Sequence, residues 1–102
     1  LWGIWLARKG NPHDIVFSNG RGPRLHHFAY TVPEVRDLIH ACDVAASMGY
    51  ASRMERGPGR HGIGNALFVY FRDPDGHRIE LFNTHYQAID PDVPPIRWDL
   101  TN

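Results

Sequence analysis

The sequence predicts an α+β fold: one βαβββ module, preceded by a β-hairpin that reads as the last two strands of a second such module. Three observations predict it. A single segment, Thr31 to Gly49, carries helical periodicity with a start and a stop signal. Short runs rich in aromatic and β-branched residues flank it, each bounded by glycine or proline. A length of 102 residues suits one small core, which buries about 60–65% of the surface an unfolded chain exposes.

The elements follow in order. Leu1–Arg8 is apolar and aromatic, Lys9-Gly10-Asn11-Pro12 supplies turn chemistry, and His13–Ser18 resumes an apolar run through Ile15, Val16 and Phe17, so the opening is a hairpin. Asn19-Gly20-Arg21-Gly22-Pro23 then breaks the chain. Arg24–Tyr30 reads as a strand. Alternation puts Leu25, His27 and Ala29 on one face and His26, Phe28 and Tyr30 on the other. Thr31-Val32-Pro33-Glu34 has the form of a capping box. Behind it, Val35, Leu38, Ile39, Cys42, Ala45 and Ala46 make one apolar helical stripe, and Gly49 ends it. Ser52–Arg56 is a strand and Gly57-Pro58-Gly59-Arg60-His61-Gly62 a glycine-rich loop. Ala66–Arg72 is a strand, Asp73-Pro74-Asp75-Gly76 a tight turn, and His77–Phe82 its hairpin partner. The expected organisation is therefore a terminal hairpin over 1–20, a complete βαβββ module over 21–88 and a proline-studded tail over 89–102.

Composition narrows the function classes. Lys plus Arg equals Asp plus Glu, 11 against 11, so no basic field exists to hold nucleic acid. No apolar run approaches the roughly 18 residues of a membrane span. Cys42 stands alone and makes no internal disulfide, which together with the lack of a leader predicts a cytoplasmic setting. The chain opens without Met on Leu1-Trp2-Gly3-Ile4, and is expected to be a piece of a longer protein.

The seven histidines raise the question of a metal. Glu80 sits mid-strand in His77–Phe82, where a charge among Ile79, Leu81 and Phe82 is costly to bury without a cation or hydrogen bonds. Taken alone it is a salt bridge to Arg78 or Arg72, or an exposed edge residue, and His27 alone is a hydrogen-bonded core histidine. Taken together, an imidazole and a carboxylate from two strands supply two of the three ligands of the facial triad that binds non-haem Fe(II). His26, on the opposite face of its strand, does not complete the set.

Three segments carry a resemblance to a known family: Gly22-Pro23-Arg24-Leu25-His26-His27, Glu55-Arg56-Gly57-Pro58-Gly59-Arg60-His61-Gly62, and Arg72-Asp73-Pro74-Asp75-Gly76-His77-Arg78-Ile79-Glu80. They resemble the vicinal oxygen chelate superfamily, with its glyoxalase-dioxygenase fold, and within it the type I extradiol dioxygenases that cleave homoprotocatechuate (3,4-dihydroxyphenylacetate). The likeness runs from about Trp5 to Trp98. It implies Fe(II), or Mn(II), held by His27 and Glu80, with the first His ligand lying upstream of this chain. It further implies His13 as the acid/base that assists oxygen chemistry, Tyr70 as a donor to a catecholic oxygen, Arg56 and His61 at the substrate's carboxylate, and Trp5 as an aromatic wall. The implied partners are a small catechol and O2, with neither nucleic acid nor membrane, in a homo-oligomer. The alternative is a non-redox member of the same superfamily: a glyoxalase-type metal isomerase or a small-molecule-binding resistance protein.

Overall fold

The computed structural model describes residues 2–8, 10–22, 24–87, 89–99 and 101. Leu1, Lys9 and Pro23, which the sequence assigns to the hairpin, its turn and the break after it, lie outside the described residues, as do Ala88, Leu100 and Asn102 of the tail. Contacts divide the chain into two units, Leu1–Gly22 with His85–Asn102, and Pro23–Thr84. Among the described residues no helix is long and apolar enough to cross a membrane.

The first unit is built on the hairpin. Strand β1 (Gly3–Leu6) pairs antiparallel with β2 (Ile15–Ser18), Trp5 opposite Val16. Asp14 organises the connection: its carboxylate accepts from the Arg8 amide at 2.8 Å and from the Asn11 side chain at 3.1 Å, and its own amide donates to the Leu6 carbonyl at 2.7 Å. His13 packs its ring 5.2 Å from that of His85. Apolar side chains on both faces of the hairpin, Ile4, Trp5, Val16 and Phe17 among them, are exposed.

The second unit is a four-stranded sheet with one helix. Its elements are β3 (Phe28–Thr31), α1 (Val35–Ser47), a 3₁₀ turn at Ala51–Arg53, β4 (Met54–Arg60), β5 (Leu67–Arg72) and β6 (Arg78–Phe82). The strand order is β3-β6-β5-β4. Only β3 and β6 are parallel, Ala29 beside Glu80, while β5 lies antiparallel to both β6 and β4. The helix serves the crossover from β3 to the far side of the sheet. Leu38 is its buried anchor at 1% exposure, a burial that contributes about 2 kcal/mol. Ala45 of α1 and Phe71 of β5 line one small cavity, so the helix covers the sheet face that carries Phe71 and its i−2 neighbour Val69. The opposite face carries Phe68, Tyr70 and Glu80.

Four local readings differ from the sequence-based expectation. Strand β3 begins at Phe28, so residues 24–27 approach it as irregular chain. The helix is capped at Glu34 instead of Thr31: the Asp37 carboxylate accepts the Glu34 amide at 2.9 Å, the part expected of Glu34, and the Glu34 side chain accepts the Asp37 amide, the part expected of the Thr hydroxyl. Val35, Ile39 and Ala46 of the expected stripe are exposed, and the half-buried and buried positions are Asp37, Leu38, Ala41, Cys42 and Ala45. The glycine-rich segment is mostly strand: β4 runs through Gly57-Pro58-Gly59, with register shifts against β5 on either side of Arg56. Gly57 makes this possible. Its φ of +94° suits glycine alone, and a Cβ there would meet the Phe68 carbonyl oxygen at 2.7 Å.

Candidate metal centre

Strand pairing brings the centre together. Tyr70 lies opposite Glu80 and Phe68 opposite Phe82 across the β5–β6 ladder, so one pleated face carries Phe68, Tyr70, Glu80 and Phe82. Parallel pairing with β3 then delivers the residues just before Phe28 to the same face. The result is a His27 Nε2 to Glu80 Oε2 distance of 3.1 Å. Glu80 is buried, at 6% exposure. Its other oxygen, Oε1, meets His61 Nε2 at 2.8 Å. His61 stacks on Phe68 with centroids 3.9 Å apart, and the Tyr70 hydroxyl stands 3.5 Å from its Nε2.

The carboxylate is thus satisfied by imidazoles and not by arginine. Arg72 and Arg78, the salt-bridge partners the sequence offered for Glu80, instead share Glu55: Arg78 forks onto it through Nε at 2.6 Å and Nη2 at 2.8 Å, and Arg72 Nη2 adds a contact at 2.7 Å. Burial by itself raises the Glu80 carboxyl, but the hydrogen bonds from His27 and His61 outweigh it and bring the group from 4.5 down to about 2. Burial, with the Glu80 charge behind it, pushes the Tyr70 phenol well up. Glu80 is an anion and Tyr70 a neutral donor across the physiological range.

Beside this face lies a cleft of about 310 Å³ lined by His26, Glu55, Arg56, His61, Tyr70 and Arg78. Arg56 reaches it with its guanidinium 5.8 Å from the Phe68 ring centroid. His26 departs from its expected place on the far face. Its Nδ1 stands 2.6 Å from His27 Nδ1, because residues 24–27 precede the pleated strand and alternation does not govern them. Of the cleft residues, the sequence reading set His26 on the far face, offered Arg78 only as a salt-bridge partner of Glu80, and gave Glu55 no role. The signal for Arg78 was its place two residues before Glu80 on one strand face; Glu55 had none beyond adjacency to Arg56. His13 and Trp5 belong to the hairpin unit, His13 against His85 and Trp5 opposite Val16.

The donor set fits an ion. Nitrogen and oxygen donors bonded at about 2.1 Å and at right angles on one octahedral ion stand about 3 Å apart, which matches the 3.1 Å between His27 Nε2 and Glu80 Oε2. Among the described residues, the one trio of His, Cys, Asp or Glu with ligand atoms within 4.8 Å of one another is Asp73, Asp75 and His77, in the exposed turn between β5 and β6. His27 and Glu80 stand as a pair.

A βαβββ sheet that brings together an imidazole from the residue just before its first strand and a carboxylate from its last strand defines the class. The chain belongs to the Glyoxalase/Bleomycin resistance protein/Dioxygenase superfamily, which it matches over residues 2–81. Among characterised relatives it is 44% identical over 100 residues to a manganese-dependent 2,3-dihydroxybiphenyl 1,2-dioxygenase of Geobacillus genomosp. 3, an alignment covering 94% of this chain and 31% of the relative. It superposes on homoprotocatechuate 2,3-dioxygenase of Arthrobacter globiformis with a TM-score of 0.92 at 44% identity, over 98% of this chain and 31% of that one. The H200E variant of the B. fuscum homoprotocatechuate 2,3-dioxygenase, in complex with HPCA, gives a TM-score of 0.89 at 45% identity, over 94% and 27%. The chain spans about a third of the length of these relatives.

Proposed function

We propose that this chain forms part of the active site of an extradiol ring-cleaving dioxygenase acting on 3,4-dihydroxyphenylacetate with dioxygen, with His27 and Glu80 as two ligands of an Fe(II) or Mn(II) ion. The carrying observation is the 3.1 Å convergence of His27 Nε2 and buried Glu80 beside a cleft lined by Tyr70 and Arg56. The ion, when bound, supplies the redox link through which a closed-shell catechol reacts with triplet oxygen. Because the Tyr70 phenol is held protonated, it donates to a catecholic oxygen in the cleft. Arg56 presents the planar fork that a carboxylate side chain requires. His61 lines the same cleft while holding the second oxygen of Glu80, so it steadies the acid and faces the substrate. For His13 the reading is a proton shuttle, and for Trp5 an aromatic wall, both on the strength of the family resemblance. The third ligand is expected from outside this chain. A cytoplasmic homo-oligomer belongs to the same reading: the sole cysteine makes no disulfide, and the apolar hairpin faces call for a covering surface.

Oxygen uptake by the full protein loaded with Fe(II) or Mn(II) tests the reading. The expected result is consumption of O2 with formation of a yellow ring-opened product from 3,4-dihydroxyphenylacetate. The Arg56→Gln change raises KM for that substrate about tenfold or more, a lost charged hydrogen bond, and leaves unsubstituted catechol little affected. His13→Phe slows turnover or diverts oxygen. Absence of uptake with every catechol tried would end the proposal.

A further inference from the structure

The metal reading treats His27 as a ligand through Nε2, and the present inference rests on it. The other nitrogen of that ring is also engaged: His27 Nδ1 lies 2.6 Å from His26 Nδ1, the two rings meeting edge-on at 72° with centroids 4.9 Å apart. Two imidazole nitrogens at that distance share one proton, so one ring donates and the other accepts. When Nε2 gives its lone pair to an ion, the ring proton of His27 resides on Nδ1 and points at His26. His26 Nδ1 is then the acceptor, and its own proton moves to its Nε2. Metal-bound histidines ordinarily donate this proton to a carboxylate, a carbonyl or water, and the partner sets ring orientation and basicity. Here an adjacent imidazole fills that place.

His26 is itself clasped. Arg78 Nη1 lies 2.9 Å from His26 Nε2 and 3.4 Å from Nδ1, so it straddles the ring instead of lining up with one lone pair. That contact holds the imidazole whichever nitrogen carries the proton. The guanidinium is anchored in turn by both oxygens of Glu55, which Arg72 also holds. We propose that His26 is a positioning residue for the metal centre, accepting the Nδ1 proton of His27, and that the Glu55–Arg78 clasp fixes His26 for this task. A pair of neighbouring histidines touching without consequence does not call for an arginine, itself forked onto Glu55, laid against one of them.

The test is Mn(II) binding to the metal-free full protein, followed by electron paramagnetic resonance, with far-UV circular dichroism as a check on folding. His27→Ala probes the underlying reading and should weaken Mn(II) binding at least a hundredfold; unchanged binding would overturn that reading and this inference with it. His26→Phe should weaken binding about 10- to 100-fold and alter the Mn(II) spectrum. His26→Asn, whose carbonyl can accept the proton, should recover most of the loss and serves also if the Phe variant misfolds. Arg78→Met should shift affinity in the same direction by a smaller factor. If His27→Ala abolishes binding while His26→Phe binds like the parent, the inference fails and the metal reading stands. Equal losses for His26→Phe and His26→Asn overturn the acceptor role.

Discussion

Glu80→Gln separates the carboxylate's charge from its shape, and the structure sets the size of the effect. In the metal-free protein the carboxylate is 6% exposed and accepts from His27 at 3.1 Å and His61 at 2.8 Å. Those contacts hold its carboxyl at about 2 against an ordinary 4.5. Because the folded value is depressed, the group stabilises the fold fully above pH 4.5 and loses that contribution as pH falls toward 2. At about 1.4 kcal/mol per unit the shift amounts to about 3 kcal/mol, and water reaching the open cleft reduces it to about 2. Urea unfolding of the metal-free parent and variant at pH 7 and pH 3 reads this directly. Because a carboxyl at about 2 is still largely ionised at pH 3, the parent should lose about 1 kcal/mol more than Glu80→Gln between the two pH values, the remainder going only as pH falls further through 2. Equal losses would show that the imidazole contacts do not stabilise the anion, and the electrostatic account of the centre would fall.

Leu38→Ala removes the anchor of α1, buried to 1% exposure, and should cost 2–5 kcal/mol in chemical denaturation, roughly the range for a fully buried leucine. Gly57→Ala forces a side chain into φ +94° and onto the Phe68 carbonyl at 2.7 Å; loss of more than about 1 kcal/mol is expected, with a raised KM because Arg56 is displaced. A chelator should abolish oxygen uptake while leaving the far-UV circular dichroism unchanged, since Glu80 keeps its imidazole partners without an ion, and Fe(II) or Mn(II) should restore activity. Collapse of the spectrum on chelation would contradict that last expectation.

The sequence was most readable where a physical period ran unbroken. Val35–Ser47 emerged because apolar residues at helical spacing run between a start and a stop signal, and Leu67–Arg72 because a continuous aromatic and aliphatic run ends at a tight turn. The proximity of His27 and Glu80 was suggested by strand placement, since a costly charge in a buried strand asks for a partner. What stayed hidden depends on contacts between distant segments. Gly57-Pro58-Gly59 looks like loop in isolation, and becomes strand because β5 lends it a hydrogen-bonding edge that tolerates register shifts. His26 was misplaced for the opposite reason, since alternation was applied to residues that precede the pleat. That Glu55 would draw off both Arg72 and Arg78 from Glu80 follows from three-dimensional proximity alone.

The parallel seam between the earliest and the latest strand of the second unit has a bearing on biogenesis. Phe28 and Ile79 are neighbours in space yet roughly fifty residues apart along the chain. Loop closure on that scale is among the slower events of folding, and every intervening segment must leave the ribosome before the seam can zip. The imidazole and the acid that flank the seam therefore first meet at the end of maturation. On the proposed reading, an ion that needs both His27 and Glu80 is held only once this seam has closed.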